Sequence, residues 1–383
     1  MRVLLFLSIT AQQPASPPPP PPPPPPQRTV EFTGAVLMNG FYNSARTNNS
    51  DAPTFADSDA VGVKGSSATL RQTRLGVIVT DPDVLGGSFN GEIDVDFFGG
   101  QQPAAGNRTF PLLRLRRAIA TVQWTRLQLM LGQEAPLVAV RNPHSLASVG
   151  VPDFTSAGNL WLWIPQLRLT AEYGYTLRLA VQGAVLAPIT GVQGLTTTQP
   201  DSGERTSRPY LEGRVRLAWG PTDDPSEVAL GGHIGWLRGL DTLSGDTLLT
   251  SHAITFDTRL KFGPAELVGE AFVGQAVAGL GGGGIAQNTG AGGVTVRTTG
   301  GWGQLNLRPR AGWMFGGGCG VDDPKDADVP ATGRFRNFVC EGHVEWRPPG
   351  PLVFGFEFRR LATRYQAGDF VVNHLNLAAG YRF

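Results

Sequence analysis

The stretch His374-Leu375-Asn376-Leu377-Ala378-Ala379-Gly380-Tyr381-Arg382-Phe383 decides the fold. Leu375, Leu377, Ala379, Tyr381 and Phe383 fall on one face at period two, and His374, Asn376, Ala378 and Arg382 fall on the other. A period of two with unlike faces is a β-strand between two environments. The closing Tyr381-Arg382-Phe383 puts an aromatic two places before an apolar last residue. That is the ending of an outer-membrane barrel strand, and it predicts that Phe383 is read by the barrel-assembly machinery.

Working outward, the same alternation recurs. Tyr175, Leu177, Leu179 and Val181 interleave with polar or small residues, as do Leu211, Val215, Leu217 and Trp219 with Glu212, Arg214 and Arg216. Phe89, Ile93, Val95 and Phe97 alternate with Asn90, Glu92, Asp94 and Asp96. One such strand would suit a soluble sheet with one wet face. The pattern instead predicts strands at 30–42, 68–79, 86–98, 111–124, 126–133, 160–173, 175–187 and 208–219, then at 227–238, 250–262, 265–276, 293–307, 309–318, 335–347, 352–362 and 371–383. Short links at Asp81-Pro82-Asp83, Gly174, Gly263-Pro264 and Arg308-Pro309 alternate with long ones such as 43–67 and 134–159. The expectation is an all-β chain: a sixteen-stranded antiparallel transmembrane β-barrel with short periplasmic turns and long extracellular loops.

Composition agrees. No apolar run reaches the ~18–20 residues of a membrane helix, so a helical bundle is excluded. Lys+Arg is 32 against Asp+Glu 31, a balance that argues against a nucleic-acid partner. Two Cys and five His leave little for a metal framework, and neither a cofactor nor a metal is expected.

The first residues stand apart from the fold. Met1–Ala11 orders one Arg, an apolar run from Val3 to Leu7 and then small or polar residues, the layout of a secretory signal peptide. Residues 12–29 read as a Pro-rich periplasmic linker, because the ten prolines from Pro17 to Pro26 impose polyproline II. Residues 30–383 are left for the outer-membrane barrel.

Sixteen strands enclose a lumen too wide for side chains alone to fill, so the inward phase carries the function. Its basic members are Arg74, Arg114, Arg116, Arg126, Arg168, Arg178, Arg214, Arg216, Arg259, Lys261, Arg310, Arg347, Arg359 and Arg382. Its acids are Glu92, Asp94, Asp96, Glu172, Glu212, Asp257, Glu341, Glu345 and Glu357. Fourteen against nine makes the lumen net basic. Guanidinium matches carboxylate in a two-pronged pair, so small organic anions are the expected solutes. The candidate pore-lining or solute-binding set is Arg74, Arg114, Arg116, Arg168, Arg178, Arg214, Arg216, Arg259 and Arg359, with Arg141 from the long segment 134–159. The competing reading is that 29 Arg over 3 Lys reflects composition, each Arg being paired with an acid. Segment 134–159 is a candidate constriction loop, the alternative being an external loop.

With these residues in hand, the chain resembles the DcaP-like trimeric porins of Gram-negative outer membranes over most of 68–383. The carriers are Thr73-Arg74-Leu75-Gly76-Val77, Gly91-Glu92-Ile93-Asp94-Val95-Asp96-Phe97-Phe98-Gly99-Gly100 and Leu113-Arg114-Leu115-Arg116-Arg117-Ala118. Leu131-Gly132-Gln133, Asn142-Pro143, Pro165-Gln166-Leu167-Arg168 and Asp322-Asp323-Pro324 follow in order. The resemblance implies a homotrimer, an arginine-lined eyelet and passive uptake of small carboxylates. Two departures qualify it. Trp163-Ile164 precede Pro165-Gln166 where basic residues are expected, which implies a less basic eyelet. The proline run replaces an N-terminal coiled coil.

Other motifs carry less. Gly279-Leu280-Gly281-Gly282-Gly283-Gly284 matches a dinucleotide fingerprint but opens no helix. Asp322, Asp323, Asp326 and Asp328 read as a solvated acidic loop rather than a calcium site. Cys319 and Cys340 fall on adjacent strands and the same outward phase, a possible disulfide in an oxidising envelope. The expectation is therefore a porin and not an enzyme, embedded in outer-membrane lipid. The alternatives are a plugged barrel serving as envelope scaffold or adhesin, or a barrel-embedded hydrolase.

Overall fold

The computed structural model describes residues 27–59, 62–99, 111–190, 200–238 and 247–383. The signal-peptide reading at 1–11 and the proline run at 17–26 lie outside the described residues. Strands occupy most of the rest. They begin with β1 (Thr29–Asn43), β2 (Gly65–Thr69), β3 (Arg74–Val84), β4 (Gly87–Gly99), β5 (Leu112–Gln123) and β6 (Leu127–Glu134). Next come β7 (Ile164–Tyr173), β8 (Leu177–Leu186), β9 (Tyr210–Trp219), β10 (Ser226–Arg238), β11 (Leu248–Phe262) and β12 (Ala265–Gln275). The last five are β13 (Arg297–Arg310), β14 (Trp313–Pro324), β15 (Arg336–Trp346), β16 (Leu352–Tyr365) and β17 (Gly368–Arg382).

From β3 to β17 each strand pairs antiparallel with the next, and β17 returns to β1 in the register Ala35↔Arg382 through Asn43↔His374. The sheet is closed. β2 and β3 both pair with β1, as two halves of one stave, so the barrel has sixteen staves. Between the halves, Thr73 Oγ1 accepts from the Leu37 N–H at 3.1 Å and substitutes for the missing ladder bond. Closure leaves no sheet edge, which is the condition for a β-sheet to cross a bilayer.

Alternation sorts the side chains. Leu129, Leu169, Val181, Val215, Leu230, Ile254 and Leu377 point outward. Asn39, Asp96, Arg214, Asp257, Gln304, Glu357 and Asn376 are buried on the inner face. At the short-turn end, Phe315, Trp313, Trp346 and Phe354 stack in series on the outside with ring centroids 5.3–5.9 Å apart. They form part of the aromatic girdle expected where a barrel meets a membrane interface.

The connections differ from the sequence expectation in three places. β3 runs through Asp81-Pro82-Asp83 and turns at Leu85-Gly86, where both φ angles are positive (55° and 72°). Arg308-Pro309 are not a turn: β13 continues past them across a register shift and turns at Gly312, whose φ is 77°. Arg310 then lies 5.1 Å from the Trp313 ring in the outer girdle, so its assignment to the lumen is corrected. At the long-loop end, β16 and β17 meet in a tight hairpin at Tyr365↔Gly368, so the alternation of link lengths is not strict.

Cys319 and Cys340 are directly opposed on β14 and β15 and joined as a disulfide. Their neighbours Gly316, Gly317, Gly318 and Gly320 give β14 few side chains with which to hold its register.

Candidate pore and its inward loop

The long segment between β6 and β7, residues 135–163, lies inside the barrel. Ala135, Leu137, Val138, Ala139, Ala147, Phe154, Ala157 and Leu160 are all buried. Its polar contacts trace a circuit of the wall. Glu212 on β9 accepts from the Leu137 N–H at 2.6 Å, and Glu270 on β12 accepts from the Arg141 N–H at 2.7 Å. The Arg141 guanidinium pairs with Glu227 and with Asp257, the latter at 3.0 Å. His144 donates its N–H to Gln304 at 2.7 Å, and its ring nitrogen Nε2 lies 2.7 Å from Glu345. Ser145 donates to Glu357 at 2.6 Å, and Asn39 on β1 donates to the Leu146 carbonyl at 2.9 Å. Gln72, between β2 and β3, holds Ala147 O and Gly150 N, each at 2.8 Å. The chain then crosses back, where Asp153 meets Arg359 and Phe154 stacks on Trp302 at 5.7 Å.

A second inward segment clamps the first. The glycine run at 279–284 packs over the returning chain, and the Leu162 N–H donates to the Leu280 carbonyl at 3.1 Å. Gly281 has φ 122°, and a Cβ there would collide with the Trp161 backbone nitrogen, so glycine is required. The motif that mimics a dinucleotide fingerprint is thus a close-packing device.

The arginines fall into groups. On the β3–β5 wall, Arg74 pairs with Asp94, and Arg114 donates to Asp96 through Nε at 3.0 Å. β5 carries a bulge: Val95 faces Leu115 but Asp94 faces Arg117, leaving Arg116 as the extra residue. The bulge turns Arg114, Arg116 and Arg117 all inward, although strict alternation would send Arg117 to the lipid. Arg117 bridges Glu92 at 2.8 Å and Glu134 at 2.5 Å. The consecutive pair Arg116-Arg117 in an otherwise alternating strand was the sequence signal for this. Arg71, paired with Asp51 in the break between β2 and β3, also escaped an alternation argument because it sits in neither half.

On the β8–β12 wall, Arg214 grips Asp257 with two bonds of 2.7 and 2.8 Å. Arg216 pairs with Glu172 and, at 3.2 Å, with Glu227; Arg259 bridges Asp224 at 2.7 Å and Glu266 at 2.5 Å. Arg359 on β16 meets both Asp153 and Glu357, and donates to Ser148 at 2.7 Å. Arg168 and Arg178 differ. Arg168 donates to the Ala135 carbonyl and to Gln166, both at 2.9 Å, and Arg178 to Thr222 at 2.9 Å in the β9–β10 turn. Most of the ten candidate arginines are paired with acids, and the depth of the pairing differs between walls. Glu172 and Asp224 are more exposed (33% and 48%) than Arg216 and Arg259 (23% and 27%), whereas the β3–β5 wall is the reverse. Asp96 and Asp94 have side chains 0% and 4% exposed, while Arg114 and Arg74 in front of them are 20% and 38% exposed. Seen from the lumen, this wall presents guanidinium.

Two further constellations form among the described residues. His233 Nδ1 lies 2.9 Å from Glu212 and Nε2 3.2 Å from Ser251 Oγ, the order of a nucleophile, base and orienting acid. All three are buried, and the second oxygen of Glu212 holds the Leu137 N–H, so this network seats the loop. Glu341, His343 and Glu357 are close enough to share a metal ion. Glu357 is already engaged by Arg359 and Ser145, and His343 Nδ1 lies 3.0 Å from Glu341, so the group reads as part of the same seat. The acidic stretch is not the solvated loop the sequence suggested: Asp322 lies on β14, fully buried, and accepts from Thr298, while Asp326 pairs with Arg364 at 2.8 Å and Asp328 with Arg297 at 2.6 Å.

No protein-family model matches the chain, and no curated protein matches it by sequence. Solved structures do. The outer membrane channel DcaP of Acinetobacter baumannii superposes with a TM-score of 0.70 at 17% identity, over 93% of this chain and 98% of that one. The trimer form of OmpT, an outer membrane protein of Vibrio cholerae, gives 0.56 at 9% identity, over 94% and 100%. OprB of Pseudomonas putida gives 0.53 at 9%, over 92% and 94%. At these identities the likeness is one of fold, and the fold is a closed antiparallel outer-membrane barrel.

Proposed function

We propose that this chain is a DcaP-like porin that passes small anionic, carboxylate-type solutes by diffusion, without turnover. Its long loops face outward from the cell, its short turns face the periplasm, and it works as a homotrimer. The observation that carries the reading is the order of charge on the β3–β5 wall, with Arg74 in front of the buried carboxylate of Asp94 and Arg114 in front of that of Asp96. An ion in the lumen meets these guanidiniums before their carboxylates, and fixed arginine at a constriction favours anions.

Planar-bilayer recording of the folded protein under a KCl gradient is the test. Large steps with a reversal potential on the anion side are expected. Arg74→Gln with Arg117→Gln should move it toward the cation side. A cation-leaning wild type would leave a porin and remove the anion preference. A second reading, a plugged barrel acting as a scaffold, is favoured by the depth at which 135–163 is buried. Absence of conductance from demonstrably folded protein would select it.

A further inference from the structure

Five side chains, Phe98 and Arg114 and Arg116 on the β3–β5 wall with Arg71 just before β3 and Trp163 from the inward segment, alternate cation and ring. Arg71 lies 4.3 Å from the centroid of Phe98, Arg114 lies 5.5 Å from Phe98 and 5.2 Å from Trp163, and Arg116 lies 4.6 Å from Trp163. Trp163 is held in turn by Trp161, edge to face at 5.0 Å. Trp163 is the last residue of the inward segment before β7, so it reaches the arginines from the lumen side of the wall. The nearest carboxylates to Arg116 Nε are 3.6 and 3.8 Å away, beyond a good hydrogen bond, and neither its Nε nor its Nη1 has a hydrogen-bond partner. Its guanidinium is therefore neighboured by indole on its face and reached by almost no water, with a side chain 8% exposed.

We propose that Trp163 is a specificity determinant of the pore: its indole covers Arg116 and one face of Arg114, withholding Arg116 from passing solutes and leaving Arg74, Arg117 and the open edge of Arg114 as the anion contacts. The inference rests on the anion-porin reading. Its physical basis is that a ring over a guanidinium satisfies the cation through its own quadrupole and occupies the approach an anion would use. A wall of four guanidiniums is thereby reduced to a smaller set that faces water. The cover is mechanically tied to the inward segment, since Arg114 also donates to the Gly150 carbonyl at 2.5 Å. Displacing that segment would uncover the charge as well as widen the path.

Two measurements test it. Trp163→Leu keeps apolar bulk and removes the ring face; folded protein should show an anion-to-cation permeability ratio raised roughly two- to fivefold, the factor equivalent to one exposed cation–ring contact. An unchanged ratio, in a channel whose ratio does fall on Arg74→Gln, overturns the inference and leaves the anion reading standing. A cation-leaning wild type, or no response to Arg74→Gln and Arg117→Gln, overturns the anion reading itself. The second measurement needs no variant: an arginine-directed dicarbonyl reagent applied to the folded wild type, with sites mapped by mass spectrometry. Modification at Arg74 and Arg117 well ahead of Arg116 supports the cover, and equal rates at Arg116 and Arg74 overturn it.

Discussion

At the scale of single residues, the inner wall is governed by how many charges share one partner. Arg359 supplies one guanidinium to both Asp153 and Glu357. Burial, with the neighbouring carboxylates, pushes the Asp153 carboxyl well above the usual carboxylate range, against the pull of Arg359. The sign follows from linkage: an acid whose folded pKa lies above its unfolded value favours the seated loop when protonated. The seat around Asp153 is therefore firmest at and below about pH 4 and loosens as pH climbs through neutrality. Hydrogen exchange of 150–160, measured across that range, should quicken with pH beyond the intrinsic rate. Asp153→Asn should flatten the extra dependence. Arg359→Met leaves buried carboxylates unpaired and should cost about 3–5 kcal/mol, seen as a lower temperature for loss of folded-barrel mobility in gels. The Ser251–His233–Glu212 network yields a contrasting expectation. Ser251 Oγ should resist a fluorophosphonate probe, and His233→Ala should loosen the segment near Leu137. Labelling of Ser251 in folded protein would restore the hydrolase reading.

At the scale of elements, alternation made most staves readable, because a strand that separates lipid from a polar interior keeps phase wherever its pairing is regular. Where pairing geometry overrides local pattern, the sequence misleads. The bulge at Arg116 is visible only once Asp94 is known to face Arg117. The break at 70–73 depends on Thr73 capping Leu37 from a neighbouring strand. Pro309 looks like a turn, yet it is absorbed by a register shift inside β13. The arginine set was legible as an inward phase; the layering on the β3–β5 wall, with Asp94 and Asp96 behind Arg74 and Arg114, was not, because depth along a side chain has no periodicity. β14 supplies the element-level prediction. Its glycines pack little, and the Cys319–Cys340 link closes a loop of 21 residues. Removing it in a Cys319→Ala, Cys340→Ala double variant should cost about 2–4 kcal/mol, read as easier thermal unfolding that reductant reproduces in the wild type.

At the scale of the whole molecule, the barrel and its inward segment are one packed body. Deleting 138–160 removes Arg141, His144, Ser145 and Asp153 from contacts on six staves. The expected outcome is a conductance several times that of the wild type, with lower resistance to denaturant. An unchanged conductance would mean that ions do not pass beside this segment.

The circuit that 135–163 makes around the wall also fixes an order in time. Arg141 waits for a partner 129 residues downstream, His144 for one 201 residues on and Ser145 for one 212 residues on. Contacts so distant along the chain form late. His144 and Ser145 have nothing to grip until β15 and β16 are in place. Full docking of the inward segment therefore belongs among the last contacts of folding.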